Sequence, residues 1–262
     1  MPRLIRDGYS INYKDSGTGD PTLIFSHGFF MDLTMFDHQI NEFSEKFRCI
    51  AWDERGFGGS TASDYFSYWD SADDLIALLD HLNVEEAILV GMSKGGFISL
   101  RAGINYPDRV RAVVLIGSDS LAFTKEEKLE FEEVLSIWCN ADNIDELSKD
   151  IGTLLFGDNQ AKSYWIDKWK YLDRSNIKYP AQALLDREDI TERLNEIQCP
   201  LLNIHGTKDE AIPISNAENL TLKMLHGARL VPIEGAPHSP NITHPAETNS
   251  AIFKFVEDLE KS

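Results

Sequence analysis

The chain has 262 residues, 42% of them hydrophobic, which is enough to bury the core of a single α/β domain. Its 25 Lys and Arg against 43 Asp and Glu leave a formal charge of -18, which repels phosphate backbones and anionic lipid. That balance speaks against a nucleic-acid or membrane partner, and it reads as a solvated acidic surface that carries no information about substrate.

Three cysteines, Cys49, Cys139 and Cys199, are odd in number and lack CxxC spacing, so neither a disulfide framework nor a zinc site is suggested. They fit a reducing compartment. The opening "MPRLIRDGYS" lacks the apolar centre of a signal peptide, and no apolar run approaches the ~18 residues of a membrane span. The expectation is a soluble, cytoplasmic protein.

Taken in chain order, "YSINYKDSGTGD" (9–20) reads as an antiparallel leading strand that ends in a turn. "TLIFSHG" (22–28) and "RCIAWDERG" (48–56) are near-continuous apolar runs that break into polar or glycine residues, the pattern of buried parallel strands. "SADDLIALLDHL" (71–82) is an amphipathic helix with Ala72, Leu75, Ile76, Leu79 and Leu82 on one face, and Ser71 with Asp74 forms an approximate capping box. "EAILVGM" (86–92) and "RAVVLIGSD" (111–119) are further strands, separated by a helix that begins near Lys94.

From Ser120 to about Lys178 no good strand is found. Helical spacing of Phe131, Val134, Leu135 and Trp138, a Thr124–Glu127 capping box and the aromatic run "SYWIDKWKYL" mark a helical insertion. Its aromatics either form a small core of their own or line a ligand pocket. Strands return at "LLNIHGTKD" (201–209) and "ARLVPIEG" (228–235). A closing helix over 246–259 carries the stripe Ile252, Phe255, Val256 and Leu259, with Pro245 suited to its first turn. The alternation implies parallel strands joined by right-handed crossovers, with helices on both faces.

Chemistry concentrates at "VGMSKGG" (90–96). A strand must become a helix within two residues, and Gly91 and Gly95 bracket Ser93 as G-x-S-x-G. The missing side chains relieve crowding in a sharp turn that exposes the serine hydroxyl at the C-terminal sheet edge. The helix that follows aims its first N–H groups and positive dipole end at the same place. A hydroxyl is a weak nucleophile without a base, and the chain supplies Asp209 after one strand and His238 after the next. Strand ends on one edge of a parallel sheet converge, so wide separation in sequence is no obstacle.

With "SHGFF", "AWDERGFGGS", "VGMSKGG", "YPDRVRAVVLIGS", "CPLLNIHGTKD" and "EGAPHSPNITHP" in this order, the chain resembles the α/β-hydrolase superfamily, in particular its small esterase-like and enol-lactonase-like members. The resemblance spans nearly everything except the insertion. It implies a mostly parallel eight-stranded sheet flanked by helices, with a core of residues 1–119 and 179–262 and a helical cap at 120–178. It further implies Ser93 as nucleophile, His238 as general base and acid, Asp209 as orienter of the imidazole, and the Phe29 and Lys94 amides as oxyanion hole. Phe30, Trp138, Trp165 and Trp169 are candidates for substrate contact.

The implied activity is cofactor-free and metal-free hydrolysis of a small ester or lactone through an acyl-enzyme. A carbon–carbon bond hydrolase and a perhydrolase share the same triad and stay open, as does a ligand receptor with a silent triad. Oligomeric state is not legible. Asp119, at another strand end, competes with Asp209 for the acid role. His205, His226 and His244 are poorer bases, while Asp53 and Arg55 suit a turn. "GFGGST" lacks the third glycine of a dinucleotide loop, because Thr61 stands there. Lys94 departs from the family, which often carries Met, Gln or Leu there. A cation at a helix start opposes the dipole, so it either meets a nearby carboxylate or favours substrates with an acceptor or anionic group.

Overall fold

The computed structural model describes residues 1–261 apart from Asp142, and for Ser175 the backbone only. Eight strands build one sheet: β1 (Arg3–Arg6), β2 (Tyr9–Ser16), β3 (Thr22–Ser26), β4 (Arg48–Trp52), β5 (Ala87–Met92), β6 (Val110–Ile116), β7 (Leu201–Gly206) and β8 (Ala228–Ile233). Their spatial order is β1-β2-β4-β3-β5-β6-β7-β8. The β1–β2 and β2–β4 pairings are antiparallel, and every pairing from β4 to β8 is parallel. This is the mostly parallel eight-stranded sheet that the resemblance to α/β-hydrolases implies. The short, partly exposed β1 has no apolar alternation strong enough to be read in advance.

Strands β3 and β5 are buried at every position, and their apolar runs are therefore continuous. The helices are α1 (Asp37–Phe43), α2 (Tyr68–His81), α3 (Lys94–Asn105), α4 (Lys125–Asn140), α5 (Asp145–Phe156), α6 (Ala161–Lys170), α7 (Lys178–Leu185), α8 (Ile214–Lys223), α9 (Pro240–Thr243) and α10 (Pro245–Leu259). α2 packs on α3, and α1 packs on α9 and α10. Four helices, α4 to α7, fill the interval between β6 and β7. The helical stretch thus runs through Leu185, past the expected end near Lys178.

One start differs from the expectation. Helix α2 begins at Tyr68, and its capping box is Ser67 with Asp70, one turn before the Ser71–Asp74 pair. The Ser-x-x-Asp spacing occurs twice in succession, and tertiary contacts decide between the copies. Asp74 is fully buried and receives Arg55 and the Tyr9 hydroxyl, so it is unavailable as a cap. Thr124 and Glu127 do form a capping box at α4, and Pro245 opens α10.

The chain turns in opposite directions from β3, to β4 on one side and to β5 on the other, which opens a crevice at the C-terminal sheet edge. Register brings Ser26 beside Gly91, Met92 beside Ile116 and Gly206 beside Ile233. The segments that follow these residues carry His27, Ser93, Gly117, Asp209 and His238.

Candidate active site

Ser93 sits between β5 and α3 at φ 50 and ψ -113, a left-sided conformation that costs a non-glycine residue about 1–3 kcal/mol. The turn holds because its surroundings leave no alternative. The Ser93 amide donates to the Ile116 carbonyl at 2.8 Å, and the Ser118 hydroxyl donates to the Ser93 carbonyl at 2.8 Å. A methyl group on Gly91 would run into the Gly95 backbone, and one on Gly95 into the Ser26 carbonyl. The Ser93 side chain makes no cap hydrogen bond, so its half-buried hydroxyl is not spent on starting the helix.

Asp209 and His238 meet. His238 Nδ1 lies 2.8 Å from Asp209 Oδ2, with the carboxylate fully buried and the imidazole nearly so. Asp209 Oδ1 accepts the amides of Ala211 and Ile212, each at 2.9 Å. Burial alone would raise this carboxyl, but the His238 charge and the hydrogen bonds from His205, His238 and Ile212 hold it well below its ordinary value. Asp209 is therefore an anion fixed in orientation. Gly117, one residue beyond the Ile116 carbonyl that Ser93 binds, has φ 53, and a Cβ there would lie 3.3 Å from His238 Nδ1. Only a side chain of zero size lets the imidazole settle against that loop. Among the described residues Ser93 and His238 are brought to one sheet edge without a hydrogen bond between them. Such links tighten when substrate binds.

His205 takes part although its position inside β7 argues against it. It is fully buried, with Nε2 at 2.8 Å from the Ile212 carbonyl and 3.1 Å from Asp209 Oδ2. The signal was present in the sequence: a histidine four residues before the acid, at the end of the same strand. Asp119 is also buried, yet it accepts Asn216 Nδ2 at 2.8 Å and the Leu121 amide at 3.1 Å. Its partners are structural, and Asp209 holds the histidine. His226 is exposed, and His244 sits at the start of α10.

The Phe29 and Lys94 amides come from the loop after β3 and the first residue of α3, and among the described residues neither is engaged by a protein acceptor. His27 is fully buried. The Glu54 amide donates to its Nε2 at 3.1 Å, so the ring proton is on Nδ1 and donates to the Gly28 carbonyl at 2.8 Å. Burial and the Lys94 charge keep His27 well below its ordinary value, in the neutral form. The loop is further set by Asp53, which accepts the Leu33 and Gly59 amides, each at 2.8 Å, in keeping with a turn-stabilising role. Arg55 pairs with Asp74.

The Lys94 side chain is buried against the loop that follows β4. It is 1% exposed, with Nζ 2.6 Å from Glu54 Oε2 and 3.9 Å from the Phe57 ring centre. Of the two roles open to this cation, a carboxylate partner is the one observed. Glu54 itself, buried at the end of β4, was not singled out in the sequence.

The four aromatic candidates are tied together beside this loop. Phe30 (φ 63) packs on Trp138, with ring centres 4.4 Å apart, and Trp169 Nε1 donates to the Phe30 carbonyl at 2.8 Å. Trp165 and Trp169 stack on Phe156. Phe30, Phe57, Trp165 and Trp169 line a cleft of about 130 Å³ under α6, while Trp138 is enclosed in the helical segment. Neither Ser93 nor His238 lines that cleft, so it is a neighbouring depression and the chemistry lies elsewhere. Among the described residues no group of three or more His, Cys, Asp and Glu is arranged to hold a metal ion, and no helix is long and apolar enough to cross a membrane.

A strained serine turn, an oriented acid–histidine pair and two unspent amides at one sheet edge define a hydrolase of the α/β class. The family model described as alpha/beta hydrolase fold matches residues 21–245, and the chain belongs to this family. It is similar to the non-heme chloroperoxidase of Streptomyces lividans, with 30% identity over 96% of this chain and 97% of that one. It is also similar to 3-oxoadipate enol-lactonase 2 of Acinetobacter baylyi, with 26% identity over 95% and 94%. Its fold matches that of a thermophilic esterase from Thermogutta terrifontis with a TM-score of 0.90, at 23% identity over 99% of both chains.

Proposed function

We propose that the protein is a serine hydrolase that opens a small carboxylic ester or lactone through an acyl-enzyme on Ser93. The reading is carried by one observation: a buried, hydrogen-bonded Asp209–His238 pair lies against the same loop that holds the strained Ser93 turn. His238 takes the Ser93 proton as the hydroxyl attacks the carbonyl carbon, and Asp209 fixes the imidazole and stabilises its charged form. The oxyanion forms between the Phe29 and Lys94 amides, where losing one donor costs about 10²–10³ in turnover. His238 then protonates the leaving alkoxide. Water, activated by the same imidazole, releases the acid and restores Ser93.

Similarity to an enol-lactonase supports the cyclic ester as one substrate type. Residues 120–178 act as the cap in this reading, and the reaction needs no cofactor or metal. The test is hydrolysis of p-nitrophenyl acetate and a simple γ- or δ-lactone by wild type and Ser93→Ala, with a fluorophosphonate probe to map the reactive residue. Labelling of Ser93 with turnover lost in Ser93→Ala supports the proposal. Labelling elsewhere, or turnover that survives the substitution, overturns it.

A further inference from the structure

The two proposed oxyanion donors stand on separate segments. Phe29 follows β3 and Lys94 follows β5, and although the strands pair at Ser26 and Gly91, the register ends there. Something beyond the sheet must set the distance between the two amides. β4, on the far side of β3, ends just before Glu54.

The Lys94 side chain starts at the first residue of α3, passes the β3 loop and ends on the Glu54 carboxylate after β4, with both groups 2% exposed or less. Phe57 supports the cation from below, and its ring packs edge-on against His27 at 5.1 Å and Phe29 at 5.2 Å. Glu54 returns a second contact to the middle segment, because its amide donates to His27 Nε2. His27 in turn holds the Gly28 carbonyl. In a planar trans peptide the C=O of one residue and the N–H of the next point in opposite directions. Whatever fixes the Gly28 carbonyl therefore aims the Phe29 N–H. The chain of contacts begins and ends on the two donors: Lys94 amide and side chain, Glu54, His27, Gly28 carbonyl, Phe29 amide.

We infer that the buried Lys94–Glu54 ion pair positions the oxyanion hole, locking the Phe29 amide against the Lys94 amide by way of Glu54 and His27. The inference rests on the reading that these two amides receive the oxyanion. Lys94 and Glu54 are positioning residues: neither side chain is assigned a contact with substrate. The pair also explains how a cation is tolerated at the positive end of α3, since the carboxylate at 2.6 Å offsets its charge.

Lys94→Met and Glu54→Gln separate position from charge. Glu54→Gln keeps the main-chain amide that binds His27 but leaves a cation near the oxyanion, whereas Lys94→Met leaves none. If the pair positions the donors, both variants lower kcat for p-nitrophenyl acetate by about 10- to 100-fold with KM within about twofold. Both also weaken inhibition by phenylboronic acid, whose tetrahedral adduct places an oxygen in the hole, by a similar factor. Circular dichroism and a thermal scan establish that each variant is folded at the assay temperature, and if one is not, the other carries the same readout. Two results overturn the inference: kcat and boronate affinity within twofold of wild type in both folded variants, or opposite changes in the two, which would assign the effect to charge alone. Ser93→Ala, assayed alongside, separates this from the parent reading. Turnover abolished in Ser93→Ala but unchanged in both pair variants sinks only the positioning role, whereas turnover retained in Ser93→Ala sinks the reading beneath it.

Discussion

Replacing both members of the Lys94–Glu54 pair should make the protein more stable at neutral pH. Burial pushes the Glu54 carboxyl up from 4.5 to about 7 against the opposing pull of Lys94. Burial likewise lowers the Lys94 ammonium from 10.5 to about 8 against the pull of Glu54. Each displacement corresponds to about 3 kcal/mol of preference for the neutral form. The 2.6 Å contact engages only Glu54 Oε2, and Glu54 Oε1 has no partner among the described residues, so the attraction does not repay desolvation. The double variant Lys94→Met/Glu54→Leu should therefore gain about 1–4 kcal/mol at pH 7.5, while single substitutions that leave one charge buried should lose stability. The pH dependence has a defined sign. Glu54 is raised in the fold, so its contribution is complete below 4.5 and lost as pH rises towards 7. Lys94 is lowered, so its contribution is complete above 10.5 and lost as pH falls towards 8. Wild type should show a stability trough between pH 7 and 8 that the double variant lacks. Urea unfolding followed by fluorescence of the five tryptophans, repeated from pH 5 to 10, measures it. A double variant less stable than wild type at pH 7.5, or a difference that does not change with pH, would refute the reasoning.

Asp209→Asn should lower kcat by about 10⁴ and Asp119→Asn by less than about 10-fold, as measured on one ester. The reverse order would move the acid to Asp119. His205→Leu removes a charge-assisted contact to Asp209 and should cost about 1.5–3 kcal/mol at pH 7. Because Asp209 is depressed in the fold, the stability it supplies is present above 3.8 and lost as pH falls, so the deficit of His205→Leu should shrink in acid-titrated unfolding; a constant deficit would argue against it. Trp169→Phe keeps an aromatic ring but deletes the bond to the Phe30 carbonyl, and kcat should fall about 3- to 10-fold, measured at a temperature where circular dichroism shows the variant folded. Gly95→Ala drives a methyl into the Ser26 carbonyl and should cost about 3 kcal/mol with loss of fluorophosphonate labelling, checked by urea unfolding.

Elements whose pattern depends on burial alone were legible. β3, β5 and β7 are buried at every position and mostly apolar because both faces are covered, and the glycines flanking Ser93 are read from the steric needs of one turn. Where two local patterns compete, local rules cannot choose. Ser67–Asp70 and Ser71–Asp74 have identical spacing, and the start of α2 is decided by Arg55 and Tyr9, residues distant in sequence that claim Asp74. The aromatics of the helical segment carry the same ambiguity, since Trp138 and Trp169 share helical spacing with core residues while only Trp169 also reaches the Phe30 carbonyl.

Glu54 illustrates the deeper limit. An acidic residue beside Arg55 and Gly56, after an apolar run, has the local appearance of a solvated turn, and nothing within ten positions marks it as buried. What buries it is a lysine 40 residues away, in a turn built for another purpose. The lysine carries the complementary constraint. A buried lysine at the start of α3 has to find an anion, and in a parallel sheet the carboxylates within its reach are those at the ends of nearby strands. β4 and β6 are followed by such groups at Asp53, Glu54 and Asp119, and Asp53 is already claimed by three donors, Asn12 Nδ2 and the Leu33 and Gly59 amides. Elimination on topology and hydrogen-bond capacity then leaves Glu54 as the acid that a four-carbon lysine stem can reach across β3, and it becomes legible only once strand order is known.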